Sequence, residues 1–250
     1  MTNRPNLENR VALVTGAARR VGAAIASHLH AAGALVAVHY RGSAEHADAL
    51  VASLNDARPG SAAAFRADLL DTSSIPQFVA DVLGWQGRLD ILVNNASTFY
   101  ATPLGEITEA HWDDLLGSNL KAPLFLSQAA APALRESHGA IVNIVDIHAQ
   151  RPLRDHLVYG AAKAGLAMLT RSLAKDLAPE VRVNGVAPGA ILWPESDMSE
   201  ATKSSILRQV PLERAGEPDD IAGCVLYLAH DATYVTGQII AVDGGRSIGW

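Results

Sequence analysis

Seven short apolar runs, separated by longer stretches of helical periodicity, constrain this chain more than any single residue does. They are Arg10 to Thr15, Ala34 to Tyr40, Ala62 to Ala67, Leu89 to Asn94, Ala140 to Val145, Val181 to Ala187 and Gln238 to Val242. As a set they are rich in β-branched residues, the run Ala62 to Ala67 excepted, and nearly continuous in apolarity, the pattern of strands covered on both faces of a parallel sheet. The intervening stretches, Arg19 to Ala32, Ala44 to Ala57, Ser73 to Leu83, Glu109 to Arg135, Leu157 to Leu177 and Asp219 to Ala229, read as the crossover helices that parallel strands require. The alternation predicts an α/β fold: a Rossmann-type, doubly wound parallel sheet of about seven strands with helices on both faces. With 250 residues, 49% of them apolar, one domain over 1–250 is expected, including a substrate loop near 190–210.

Charge and residue counts narrow the function classes. The formal net charge is −6 and no basic stripe offsets it, so a phosphate backbone would be repelled and nucleic acid is not an expected partner. No apolar stretch reaches the roughly 20 residues needed to span a bilayer. The segment Met1 to Arg10 is polar, without the apolar region of a signal peptide, so a cytoplasmic location is expected. Cys224 is the single cysteine and reads as a small core residue of the last helix. The nine histidines are scattered, and no metal is assigned.

The first strand-to-helix turn carries a cofactor signal. In Thr15-Gly16-Ala17-Ala18-Arg19-Arg20-Val21-Gly22, Gly16 permits a tight turn and Gly22 close packing of helix on strand. The helix start then presents amide N–H groups to a pyrophosphate. Arg20 stands where the commoner glycine pattern has a further glycine. An NAD site places a carboxylate near the end of the second strand, where it would repel a 2′-phosphate; here Val38-His39-Tyr40-Arg41-Gly42-Ser43 offers a cation and hydroxyls instead. With Arg19 and Arg20 at the same end, charge-assisted hydrogen bonds to a phosphate become available, and NADPH is the expected cofactor.

Tyr159-Gly160-Ala161-Ala162-Lys163 supplies the chemistry. Positions i and i+4 share a helix face, so the Lys163 ammonium is expected beneath the Tyr159 hydroxyl, where its charge would favour phenolate and ease proton exchange with substrate. Asp146 lies thirteen residues upstream, at the end of a strand. An ionised carboxylate there can only accept hydrogen bonds.

Taken together, these motifs resemble the short-chain dehydrogenase/reductase family over essentially the whole chain. Further matching segments are Asp68-Leu69, Asn94-Asn95-Ala96-Ser97, Asn119-Leu120 and Val183-Asn184-Gly185-Val186-Ala187-Pro188-Gly189. The resemblance implies that Asp146, Tyr159, Lys163 and Asn119 are catalytic, Asn119 supporting a proton-relay water near Lys163. It implies that Gly16, Arg19, Arg20, Val21, Tyr40, Arg41, Ser43, Asp68, Leu69, Asn95, Ala96, Ser97, Tyr159, Lys163, Pro188 and Gly189 surround the cofactor. Asn94 and Asn184 are expected to tie backbone rather than touch ligand.

The Asp at position 146, where the family normally has Ser, is similar to the pteridine reductase branch. That branch shares the doubled basic residues, the His-Tyr segment and the stretch Asn95-Ala96-Ser97-Thr98-Phe99-Tyr100. The likeness implies a pterin lying flat on Phe99, with Ser97, Asp146 and Tyr159 as the other substrate contacts. The implied activity is NADPH-dependent reduction of dihydropterins, with dihydrofolate as a further substrate. The alternative is a carbonyl reductase of the 3-oxoacyl-thioester type. Arg41 is displaced by one place from the branch's pattern, and the loop Ala190 to Glu195 is unlike it, so Trp193 and Glu195 are open as substrate contacts or rim packing. The family also implies a homotetramer, in which Asp243 to Trp250 could reach a neighbour's site.

Overall fold

The computed structural model describes residues 6–191 and 199–248. Seven strands form one sheet: β1 (Val11–Val14), β2 (Leu35–Tyr40), β3 (Ala62–Arg66), β4 (Ile91–Asn94), β5 (Ala140–Ile144), β6 (Arg182–Pro188) and β7 (Ile239–Val242). Their order is β3-β2-β1-β4-β5-β6-β7, and every neighbouring pair is parallel. After β3 the chain crosses to the other side of β1 and re-enters as β4, with Val14 paired to Val38 on one side and Val93 on the other. Such a reversal leaves a crevice beyond the carboxyl ends of β1 and β4, which is where open α/β sheets bind ligands.

Alternation along the strands divides the core between the two faces of the sheet. Ala12 and Val14 join Val36 and Val38 against Ile25 and Leu29 of α1 (Arg20–Ala31) and Ile221 and Val225 of α8 (Pro218–Leu226). Val11 and Leu13 join Leu92 and Ile141 against Phe78 and Val82 of α3 (Ile75–Gln86) and Leu126 and Leu134 of α5 (Ala122–Glu136). The remaining helices are α2 (Ala44–Ala57), α4 (Glu109–Leu116), α6 (Leu157–Asp176) and α7 (Glu200–Leu207). Cys224 is half-buried on α8 beside the first of these cores, and burial pushes its thiol up to about 11.

The expected elements all form; the last helix passes into a π-helical turn at Tyr227–Asp231, and two further differences stand out. The stretch from 109 is interrupted at Gly117–Lys121 by a π-helical turn. There the Asn119 Nδ2 donates to Leu115 O at 3.0 Å and to Thr98 O at 2.9 Å, so the side chain competes for the helix's own carbonyl and turns toward the loop after β4. Helix α7 was not expected from the sequence: it buries no residue, so its sequence has no apolar stripe, and it starts on a Ser199 cap that accepts from Thr202 N. Trp193 and Glu195 lie outside the described residues, as do Gly249 and Trp250.

Buried amides tie the sheet together. Asn94 donates to Asn143 at 2.8 Å, and Asn143 to Thr170 of α6 at 2.9 Å. Asn184 bridges Val235 O and Gln238 N, holding β6 to the entry of β7. Asn94 therefore engages side chains rather than the backbone that the sequence suggests.

Candidate active site

The glycine turn between β1 and α1 is shaped by close approach. Gly16 has φ +60, and a Cβ there would lie 3.0 Å from Ala96 Cα. A Cβ on Gly22 would lie 2.3 Å from the Gly16 carbonyl oxygen and 2.6 Å from Asn95 Nδ2. Asn95 fastens the turn, donating to Thr15 O at 2.8 Å and Gly16 O at 3.1 Å. Arg20, in the place of a glycine, also takes a positive φ of 54, a conformation disfavoured for a residue with a Cβ.

A cavity of about 350 Å³ opens over this turn, lined by Gly16, Arg19, Arg20, Val21, Arg41, Asp68, Leu69, Asn95, Ala96 and Ser97, together with Gly22, His39, Leu70, Thr98 and Ser118. Ten of the expected cofactor positions are thus brought together. Tyr40 packs instead against the core, and Ser43 begins α2 with its carbonyl accepting from Ala47 N. Pro188 and Gly189 pair with the end of β7, and a Cβ on Gly189 would lie 2.6 Å from Asp243 Cα.

His39 is a part of this site that the motif reading passed over. Its Nδ1 accepts from Gly16 N at 3.0 Å, and its Nε2 lies 3.2 Å from Ala67 O. Since Gly16 N–H must donate and the carbonyl must accept, the ring is the neutral Nε2–H tautomer. Burial pushes its pKa down to about 4, against the raising effects of the Ala67 carbonyl and the Asp68 charge. A buried polar residue inside an apolar strand was the available signal.

Beyond Ser97 the cleft meets the proposed chemistry. Asp146 lies two residues beyond β5 and caps a short 3-10 turn, its Oδ1 accepting from His148 N at 2.8 Å. Its Oδ2 accepts from the Tyr159 hydroxyl at 2.7 Å. Tyr159 and Lys163 lie one turn apart near the start of α6, and both are buried. Lys163 Nζ donates to Ile144 O at 2.9 Å and stands 5.7 Å from the Tyr159 ring centre.

This corrects the expected electrostatics. Burial, the Asp146 charge and the Asp146 hydrogen bond raise the Tyr159 pKa well above that of a free phenol, with only a Ser97 hydrogen bond acting the other way. Tyr159 is therefore held as a protonated donor, not drawn toward phenolate. Burial pushes Lys163 down to about 8, with Asp146 opposing. The Lys163 ammonium is directed to the β5 carbonyl and not to the phenol oxygen. Asn119 is fully buried and holds the rim: its Oδ1 accepts from Ser97 Oγ at 2.6 Å.

Phe99 stands half-exposed beside Tyr159. It meets Tyr159 edge to face at 4.8 Å and 79°, and stacks on His156 at 4.7 Å and 19°. His156 is a second residue that the motif reading missed; its place three residues before Tyr159, at the N-cap of the same helix, was the available signal. Among the described residues, no group of three or more His, Cys, Asp or Glu could hold a metal ion, and no helix is long and apolar enough to cross a membrane.

Comparison with known proteins agrees with this architecture. Residues 16–247 match a family described as Enoyl-(Acyl carrier protein) reductase, which spans the glycine turn, Asp146 and the Tyr159–Lys163 pair. The chain belongs to the short-chain dehydrogenase/reductase family. Short-chain dehydrogenase/reductase proteins use NAD(H) or NADP(H), and this one is an oxidoreductase. It is 39% identical to Pteridine reductase 1 of Leishmania tarentolae, over 95% of this chain and 96% of that protein. It is 40% identical to the 3-oxoacyl-[acyl-carrier-protein] reductase FabG of Staphylococcus aureus (strain Mu50 / ATCC 700699), over 94% of this chain and 96% of that protein. A solved short-chain dehydrogenase/reductase structure, described as a short-chain alcohol dehydrogenase from Sinorhizobium meliloti 1021, superposes with a TM-score of 0.93. It is 35% identical and covers 99% of this chain and 100% of that one.

Proposed function

We propose that this protein reduces dihydropterins, and dihydrofolate as a further substrate, to their tetrahydro forms with NADPH. The observation that carries the reading is the Tyr159 hydroxyl donating to the Asp146 carboxylate at 2.7 Å. A pterin edge bears ring N–H and amino donors that an ionised carboxylate accepts, whereas a simple ketone bears none. Asp146 thus orients a donor-rich heterocycle, and Tyr159, held protonated, delivers a proton to a ring nitrogen. Phe99, half-exposed, offers a flat apolar face to the ring.

The residues present fit the cofactor. The Gly16–Gly22 cradle leaves no room for side chains where backbone approaches backbone, and Arg19, Arg20 and Arg41 line the same cavity. This basic end suits a 2′-phosphate. Reduced nicotinamide supplies the hydride. Lys163, now bonded to Ile144 O, would hold the nicotinamide ribose, and Asn119 keeps the Ser97–Thr98 rim in position.

The similarity to a 3-oxoacyl reductase supports a second reading, carbonyl reduction of a 3-oxoacyl thioester. One assay separates them: oxidation of NADPH and of NADH by the purified protein with dihydrobiopterin, dihydromonapterin, dihydrofolate and an acetoacetyl thioester. Turnover of a dihydropterin with NADPH is expected. Efficient reduction of the thioester with all three pterin and folate substrates ignored would replace the first reading with the second. We take the protein to work in the cytoplasm as a homotetramer; exposed Trp112, Met168, Tyr227 and Tyr234 support association, which sedimentation equilibrium measures.

A further inference from the structure

The loop after β4 and the loop after β5 are joined before any substrate arrives. Thr102 forms a parallel bridge with His156, and Thr102 N donates to Asp155 O at 2.5 Å. Asp155 has φ +60, an unfavourable turn for a residue with a Cβ that sends the chain from the bridge directly into α6. His156 Nδ1 lies 2.7 Å from Arg154 O, which fixes the orientation of the imidazole at the head of the helix. The consequence is the stack of His156 on Phe99, 4.7 Å between centres and 19° from parallel.

We infer that His156 is a positioning residue that selects flat aromatic substrates by backing Phe99 as a preformed stacking platform. Phe99 has two faces; His156 covers one, and half of the residue's surface remains exposed for a ligand. Its edge-to-face contact with Tyr159 at 4.8 Å sets that platform against the proton donor. A ring laid on the free face is then aligned with Tyr159 without ordering a mobile side chain first, which lowers the entropic cost of binding. A flexible acyl chain gains little from such a surface, since face-to-face contact requires a planar partner. The inference rests on the pterin reading and adds the residue that imposes planarity.

The test measures binding of fully oxidised pterin, by quenching of its fluorescence, to the protein saturated with NADP⁺, where no hydride is available. His156→Ala is expected to weaken pterin binding by about threefold to tenfold, the range of an aromatic pair, and His156→Phe to restore it. Affinity for NADP⁺ should be unchanged in both, and kcat with dihydropterin nearly unchanged while KM rises. His156→Leu, which keeps bulk without a flat face, should behave as His156→Ala and carries the comparison if the alanine variant does not fold. Wild-type affinity for pterin in His156→Ala or His156→Leu would overturn the inference and leave the pterin reading standing. Equal loss of pterin and NADP⁺ affinity would also overturn it, as a general defect of the fold. Failure of the unmodified protein both to bind pterin and to reduce dihydropterin would overturn the pterin reading and this inference with it.

Discussion

Tyr159 and Asp146 form a donor–acceptor pair in which each side chain limits what the other can do. The phenol keeps its proton first because burial disfavours the phenolate, and then because ionising it would put a second negative charge 2.7 Å from the Asp146 carboxylate. Tyr159→Phe should therefore lower kcat by about 10²–10⁴-fold, the usual contribution of a positioned acid, while the circular dichroism spectrum stays that of the parent. Asp146→Ser should cut kcat/KM for dihydropterin by roughly tenfold or more, the equivalent of a lost charge-assisted hydrogen bond, and raise activity on an acetoacetyl thioester. Steady-state kinetics with both substrates checks the pair. At the other end of the cleft, Arg41→Asp replaces a cation with a carboxylate in the cavity wall. A rise of about tenfold or more in the Kd for NADPH, with little change for NADH, is expected by fluorescence titration. Equal catalytic efficiency of the unmodified protein with the two cofactors would count against the assignment.

The turn between β1 and α1 shows how elements share their constraints. Gly16 belongs to the turn, yet its limit comes from Ala96 after β4, while Gly22 of α1 is limited first by the Gly16 carbonyl of the turn and next by Asn95, which fastens that turn from beyond β4. Gly22→Ala would drive a Cβ to within 2.3 Å of the Gly16 carbonyl oxygen, so backbone must move. The expected cost is about 1–3 kcal/mol of stability, as for overpacking in a core, together with loss of NADPH binding. Chemical denaturation and cofactor titration read the two effects separately; an alanine variant of parental stability and affinity would show that the turn has slack. The π-helical turn at 117–121 has the same character: it makes sense only with the loop after β4, whose Ser97 and Thr98 are bonded to Asn119.

Across the molecule, the buried Lys163 ties stability to pH. Its pKa is pushed down to about 8 from 10.5, so between those values the unfolded chain binds more protons than the folded one, and stability rises with pH through that window. The burial penalty is fully present below pH 8. Integrated over the shift it amounts to about 3 kcal/mol. Unfolding by urea at pH 7 and at pH 10 should show a gain of that order in the unmodified protein, relative to Lys163→Met, in which the difference between the two variants' pH dependences isolates the group. Parallel pH profiles for the two would contradict the assignment. The element order, the parallel sheet and the glycine turn were legible in the chain because apolar periodicity and glycine placement are local consequences of strands covered on both sides and of backbone crowding. Helix α7 was not legible, since it buries nothing and so carries no stripe. Nor was the sense of the Tyr159 shift. Helical spacing puts Lys163 near Tyr159, but which charge governs the phenol depends on where β5 ends, and that brings Asp146 to the hydroxyl while the Ile144 carbonyl takes the ammonium. The Phe99–His156 stack was hidden for the same reason: the two rings are 57 positions apart and meet only because parallel strands deliver both loops to one edge of the sheet.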